Sequence, residues 1–303
     1  AQINNGAIGV DKTSAGTLTL SGVNSFTGGV TLTAGTLNVN STTALGAAAG
    51  TFTLADGTTI DNTSGQPIAL LNANPVALNG SIIFTGTNDL RLNAGSVTLD
   101  ASRSITTTAG TLGFGGSVGP VANTLTKLGA GTLLLTAAGN TSPIIVTAGT
   151  LGGGFSTSST VTLNGGTLEP GAGGSASTIS STAAANAIVY TAASTLVFNV
   201  GTSKDLIDGL NGNVVDFGAF TNTLNINVLT GFGAGAYVLA DNVTFAGTQL
   251  AAPSNTVAGV TMTLDYSQNG TLTGKKLILN VTPLGGIATW TGLAGDNKWS
   301  TPG

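Results

Sequence analysis

Apolar and polar residues alternate along this chain in short bursts, and most bursts start from the same four-residue seed. The seed is a small residue, Gly, then Thr or Ser, then an apolar residue. It stands as Ala15-Gly16-Thr17-Leu18, Ala34-Gly35-Thr36-Leu37, Ala49-Gly50-Thr51-Phe52 and Ala94-Gly95-Ser96-Val97. It returns as Ala109-Gly110-Thr111-Leu112, Ala130-Gly131-Thr132-Leu133 and Ala148-Gly149-Thr150-Leu151, with looser copies at Asn79-Gly80-Ser81-Ile82 and Gly165-Gly166-Thr167-Leu168. The steps between successive seed glycines are irregular, and the longest, from Gly50 to Gly80, is twice the shortest, such as Gly35 to Gly50. Such self-similarity is the mark of a solenoid. Each step reads as one coil, and the longest as two, with Asp56-Gly57 to Gln66-Pro67 as a degenerate coil.

Strand side chains alternate faces with a period of two, so the second and fourth residues after each Gly share a face. The second positions are Leu18, Leu37, Phe52, Ile82, Val97, Leu112, Leu133, Leu151 and Leu168; the fourth run from Leu20 and Val39 to Phe114 and Leu135 before failing at Gly153 and Pro170. Polar residues such as Thr19, Asn38, Thr53 and Thr98 fall between them. A second alternation precedes the Gly, as in Val30-Thr31-Leu32-Thr33 and Ile144-Ile145-Val146-Thr147. Each coil therefore reads as strand, Ala-Gly bend, strand, turn. Coils stacked about 4.8 Å apart give an all-β, right-handed parallel β-helix, a rod on the order of 75 Å long. Leu133 should sit on Leu112 in a buried column while Thr111 and Thr132 are not both interior. No 3.6-residue stripe persists, which argues against helices.

Residues 1–186 carry the repetitive coils. From residue 187 to 283 the strands lengthen and become less regular, as in Ser194–Val200, Thr223–Leu229, Ala236–Leu239 and Lys276–Val281; this region is expected to finish and cap the same solenoid. Residues 284–303 hold both tryptophans, Trp290 and Trp299, and read as a Gly/Trp tail or the start of a further unit.

Composition sharpens the picture. Charged residues are only 7% of the chain against an average of roughly 25%. Hydrophobic content of 41% is too high for a disordered polar chain. There is no Cys and no His, which removes disulfides and the usual soft metal ligands. A net charge of −4 with scattered Lys and Arg offers no nucleic-acid footprint. No apolar run is long enough to span a bilayer as a helix.

Catalysis on a β-helix would need clustered carboxylates or a base beside them. Asp11, Asp56, Asp61, Asp89 and Asp100 are scattered, and Glu169, the single Glu, precedes Pro170 in what reads as a turn. Arg91, Arg103, Asp89 and Asp100 read as a solvated surface charge cluster. The acidic stretch Asp205–Asp216 has oxygen ligands suited to calcium, but its spacing departs from a calcium loop and a plain turn is the preferred reading. Thr-x-Thr triplets such as Thr17-Leu18-Thr19 and Thr51-Phe52-Thr53 suggest an ice-binding face, yet Thr36-Leu37-Asn38 and Thr132-Leu133-Leu134 break the ladder. No catalytic, cofactor-binding or metal-binding residue is assigned, and no cofactor is expected.

One block carries a family likeness. Leu125-Thr126-Lys127-Leu128-Gly129-Ala130-Gly131-Thr132-Leu133-Leu134-Leu135-Thr136 is followed by Ala138-Gly139-Asn140-Thr141 and Val146-Thr147-Ala148-Gly149-Thr150-Leu151. Residues 12–40 repeat the pattern. The chain resembles the autotransporter-associated β-strand repeat family of bacterial surface proteins. Residues 195–239 look like the membrane-proximal coils of such proteins, and 288–300 like a segment that opens a repeat region. The resemblance implies a secreted bacterial surface protein, and the sparse, scattered charge suits a non-catalytic stalk, adhesin or filament segment. Open coil ends and the Trp290 and Trp299 tail point to end-to-end self-association, with other surface components as further partners. A carbohydrate-binding or carbohydrate-cleaving β-helix is the alternative, with surface glycans as partners, and ice binding a remote one.

Overall fold

The structure is a computed structural model that describes residue 3 and residues 6–172, 175–183, 186–266 and 275–285. Every regular element among the described residues is a strand. The strands stack into three sheets. Sheet I has six, from Val10–Lys12 to Val118–Gly119. Sheet II has fifteen, from Thr17–Leu20 to Val260–Asp265. Sheet III has eight, from Ile68–Ala69 to Thr223–Val228. Each strand pairs in parallel with its counterpart one coil on, until the final antiparallel pairings of Lys275–Pro283. The fold is a parallel β-helix.

The core lies between the sheets and is built from columns. In sheet III one column runs Ile68, Leu90, Leu112, Leu133, Leu151, Leu168, Leu196, Leu224 without a break in register. All eight are buried. In sheet I, Val10, Val30, Phe52, Val76, Val97 and Val118 form another. Burial of each such side chain stabilises by roughly 1.5–3 kcal/mol, and almost all of that burial comes from the coils above and below. Thr111, Thr132, Thr150 and Thr167 are half-buried and stack beside the Leu column. The stacking of Leu133 on Leu112 thus follows the sequence register.

The coil itself differs from the sequence reading. In sheet I one coil carries the chain from Val10 to Val30, the next to Phe52, and further coils to Val76, Val97 and Val118. Each of these is longer than the commonest glycine step, such as Gly35 to Gly50. Coil length also varies widely: a short coil runs from Ile144 to Val161, and a late, far longer one from Val214 to Thr244. The Gly seed marks corners rather than coils. Gly16, Gly35 and Gly80 lie where the chain passes from sheet I to sheet II, Gly50 and Gly95 where it enters sheet I, and Gly110, Gly131, Gly149 and Gly166 where it passes from II to III. Asp56–Pro67 is no degenerate coil; it contains the sheet II strand Thr59–Asp61 and the corner leading to Ile68 in sheet III. Eleven strands stack in parallel along the main path of sheet II, which makes the stack about 48 Å tall at about 4.8 Å per step, shorter than the sequence estimate.

Beyond Leu168 the coils widen, as the steps to Leu196 and then Leu224 show against the earlier step from Leu151 to Leu168. Aromatic rings fill the added space. Tyr190 lies 5.3 Å from Phe217, which stacks at 5.9 Å on Phe245, which meets Tyr266 edge-on at 5.3 Å. These strands continue sheets II and III directly from the earlier coils. Truncating Leu133 to Ala should cost about 2–5 kcal/mol and lower the melting temperature by several degrees, whereas Thr132→Ala should change it little; equal effects would refute the column. The buried Tyr190 hydroxyl has no hydrogen-bond partner among the described residues. Tyr190→Phe should therefore raise stability, by about 1 kcal/mol or more, measured by urea unfolding.

Candidate functional site

Any chemistry on this scaffold must rest on its few ionisable groups. Asp56, Asp61 and Asp89 lie at corners and accept hydrogen bonds that tie one coil to the next. Asp56 Oδ1 accepts from Ser81 N at 2.8 Å, and Asp89 Oδ1 from Thr111 N at 2.8 Å. Asp61 accepts from Thr87 N at 3.0 Å and Thr87 Oγ1 at 2.6 Å. The neighbouring Asn62 completes that corner by donating to Gln66 O and Asp89 O, each at 2.8 Å. These groups satisfy backbone that would otherwise be left unpaired.

The expected four-residue charge cluster is only half formed. Arg103 and Asp100 make a bidentate pair at 2.8 and 2.9 Å. That hydrogen bonding holds the Asp100 carboxyl below the usual range; the pair is exposed and adds little stability. Asp89 is engaged with Thr111, and Arg91 stands exposed without a carboxylate partner among the described residues. Arg91 borders a notch of about 200 Å³ on sheet III, together with Ala69, Gly113, Phe114, Leu134 and Thr136. Gly113 opens the notch, since its neighbours in register are Arg91 and Leu134.

Two carboxylates do approach each other. Glu169, the last residue of a sheet III strand rather than part of a turn, accepts from Asn199 Nδ2 at 3.3 Å. Asn199 Nδ2 also donates to Asp205 Oδ2 at 2.8 Å. Burial raises the pKa of both acids, and for Glu169 the nearby Asp205 adds to the rise. Paired carboxylates on a glycosidase face a cleft. Here Asp205 is fully buried, and its oxygens are held by Ser177 N at 2.7 Å and Asn199 N at 2.8 Å. The pair fixes the first widened coil. The rest of Asp205–Asp216 is not a turn: Leu206–Asp216 is one strand of sheet II, with Asp208 bonded to Asn242 Nδ2 and Asp216 to Gly218 N. No group of three potential metal ligands converges among the described residues. The Thr array also fails to repeat: outward Thr17, Thr36 and Thr59 are followed by Ile83, and Thr19 by Asn38 and Asp61.

The group that sequence reading missed is Lys127. It occupies an interior column, between Ile105 and Val146, and is fully buried. Its ammonium donates to Leu128 O at 2.8 Å, Gly129 O at 2.8 Å and Ala148 O at 3.1 Å. Three donors meet three corner carbonyls, two on its own coil and one on the next. Gly149 permits this approach: its φ is +65°, and a Cβ there would meet Lys127 Nζ at 2.7 Å. Lys12 does the same at the first corner, donating to Ser14 O and, at 3.1 Å, to Ala34 O. Both stand four positions before a seed glycine, Gly16 or Gly131. The signal was present in the alternation, since Leu125 and Lys127 share a face.

The corner bearing Lys12 falls inside residues 10–39, which match the passenger-associated-transport-repeat family. Residues 10–39 thus carry the likeness to a passenger-associated transport repeat. It is also 36% identical over 120 residues to the adhesin BmaC autotransporter of Brucella suis biovar 1 (strain 1330), a match covering 37% of this chain and 4% of that protein. The chain therefore spans a small fraction of that relative's length. The Lys12 corner lies within the matched residues, and a comparable arrangement recurs at Lys127 outside them.

Burial pushes Lys127 down to about 8 from an ordinary value of 10.5. Between these values the unfolded chain binds the proton that the folded chain has released, so stability rises with pH across that window. Below about 8 the group is protonated in both states and the burial penalty is constant. Lys127→Met should flatten the rise in melting temperature between pH 8 and 10.5, and at pH 7 should cost about 1–3 kcal/mol for the orphaned carbonyls. An unchanged pH slope would show that Lys127 is not the titrating group.

Proposed function

We propose that this chain is a non-enzymatic, rigid passenger segment of a secreted bacterial surface protein, which holds an adhesive surface away from the cell. The observation that carries this reading is the use of the described buried lysines and aspartates, Lys12, Asp61, Lys127 and Asp205, as hydrogen-bonding ties between or within coils. Nothing in that arrangement leaves an acid and a base free beside one another at the surface. The likeness to an adhesin autotransporter supports an extracellular setting. The described residues include no helix long and apolar enough to cross a membrane. Contact with anionic surface glycans is a second reading. It is favoured by Arg91, a cation without a partner among the described residues, at the rim of the sheet III notch.

Beads coated with the folded chain should adhere to host-cell monolayers at least several-fold more than beads coated with heat-unfolded chain. The same protein should release no reducing or unsaturated ends from a panel of polysaccharides. Release of such products would overturn the non-enzymatic reading, and equal adhesion of folded and unfolded chain would overturn the adhesive one.

A further inference from the structure

Apolar residues that pack on the core but remain partly exposed are not spread along the solenoid. They are Ile3, Val10 and Leu18 at one end, and Phe220, Phe232, Tyr237, Phe245, Val260, Met262, Leu264 and Tyr266 at the other. Among the described residues none lies between residues 19 and 219. The core is thus closed laterally and open along its axis, where coil stacking would continue.

Sheet II alone runs from the first described coil to the last. Its last strand, Val260–Asp265, is antiparallel to Lys275–Pro283, which is antiparallel to Gly235–Ala246. Two reversals restore the original direction. Val260–Asp265 therefore runs parallel to Thr17–Leu20, the first strand of the same sheet. No described strand lies against the outer edge of either.

The backbone parity of the two edges also matches. Leu284 N donates to Gly259 O at 2.9 Å, opposite it in register, so the peptide groups of Val260, Met262 and Leu264 face away from their partner strand. At the other end Gly16 O and Leu20 O accept from Thr36 N and Asn40 N, so Thr17 and Thr19 face outward. In a parallel ladder one residue bonds to the two that flank its opposite number. Met262 set opposite Leu18 would bond to Thr17 and Thr19. Side chains agree with that register: Thr261-Met262-Thr263-Leu264 would lie on Thr17-Leu18-Thr19-Leu20, apolar on apolar and Thr on Thr. A slip of one residue destroys both matches.

We infer that the Val260–Asp265 edge is a docking strand for a second copy of this chain, which stacks its Thr17–Leu20 strand there in parallel, Met262 over Leu18. This deepens the scaffold reading by supplying the joint through which units extend head to tail.

The chain has no Cys, so the joint is testable with single-cysteine variants. Leu18→Cys and Met262→Cys chains, mixed at high concentration, should form a disulfide-linked or short-bismaleimide-linked heterodimer, since directly opposed residues would lie about 4.8 Å apart. Val23→Cys, exposed and outside the strand, should crosslink to Met262→Cys at least tenfold more slowly. Sedimentation of the cysteine-free chain should show a concentration-dependent series of oligomers. Met262→Pro, which removes an outward N–H, should reduce that association at least tenfold while circular dichroism remains that of the parent. Absence of the Leu18–Met262 crosslink, or equal crosslinking at Val23, overturns the proposal. So does a monomer at every concentration, including one whose edge is covered by its own residues 286–303. A chain that stays monomeric yet adheres to cells refutes the stacking alone and leaves the scaffold reading intact.

Discussion

Everything in this molecule depends on the in-register contact of one coil with the next. A single coil has no interior; its Leu or Val becomes buried only when a like residue sits about 4.8 Å above and below it. The sheet III column from Ile68 to Leu224 shows how strictly this is kept, for it survives both the short coil from Leu151 to Leu168 and the long one from Leu168 to Leu196. In sheet III length variation is absorbed at the corners, where loops face solvent, and not within the strands, whereas sheet II also takes it up in irregularities such as that between Asp208 and Asn213. Shifting a strand by one residue would turn its apolar set outward, so the column tolerates insertions between strands and forbids them inside.

Corners are consequently where the chemistry is concentrated. A tight passage from one sheet to the next leaves carbonyls and N–H groups that neither strand can satisfy. The chain meets this with Asp and Asn acceptors and donors at Asp61-Asn62, and with ammonium groups at Lys12 and Lys127. An interior lysine is costly to desolvate, and three carbonyls at 2.8–3.1 Å offset that cost at Lys127. The buried charges among the described residues, Lys12, Asp61, Lys127 and Asp205, are therefore engaged in holding backbone at corners and coil joints.

This division also sets what was legible in the sequence. Leu112, Leu133, Leu151 and Leu168 announced their column because every copy follows Gly-Thr or a close variant of it, and period-two alternation does the rest. The coil length was hidden, because one seed serves three different corners and the spacing between glycines mixes fractions of a coil with whole ones. Gly50 and Gly80, two coils apart by their spacing, lie at different corners on successive coils. Lys127 was hidden for another reason. Its position in the alternation is interior, yet its charge invites a surface reading, and only the three facing carbonyls make an interior ammonium tolerable. The Asp205–Asn199–Glu169 contacts bring Glu169 and Asn199, far apart in sequence, together across a widened coil, a meeting no local pattern encodes.

The widening itself has a physical logic that bears on how the solenoid ends. A column of Leu fills a narrow cross-section, but coils as long as Leu168 to Leu196 and Leu196 to Leu224 enclose more volume, and aliphatic side chains alone would leave voids. The row Tyr190, Phe217, Phe245 and Tyr266 supplies that volume and leads to the terminal hairpin. The antiparallel strand Lys275–Pro283 covers the last coil, yet it does so by importing a further strand, Val260–Asp265, whose own edge lies in the direction of the stack. A cap made this way moves the open edge outward without removing it. Blunting would need charge or proline along the edge, and the sequence Val260-Thr261-Met262-Thr263-Leu264 offers neither until Asp265. The same scarcity of charge that lets the columns stack so closely leaves the end of the column able to stack again.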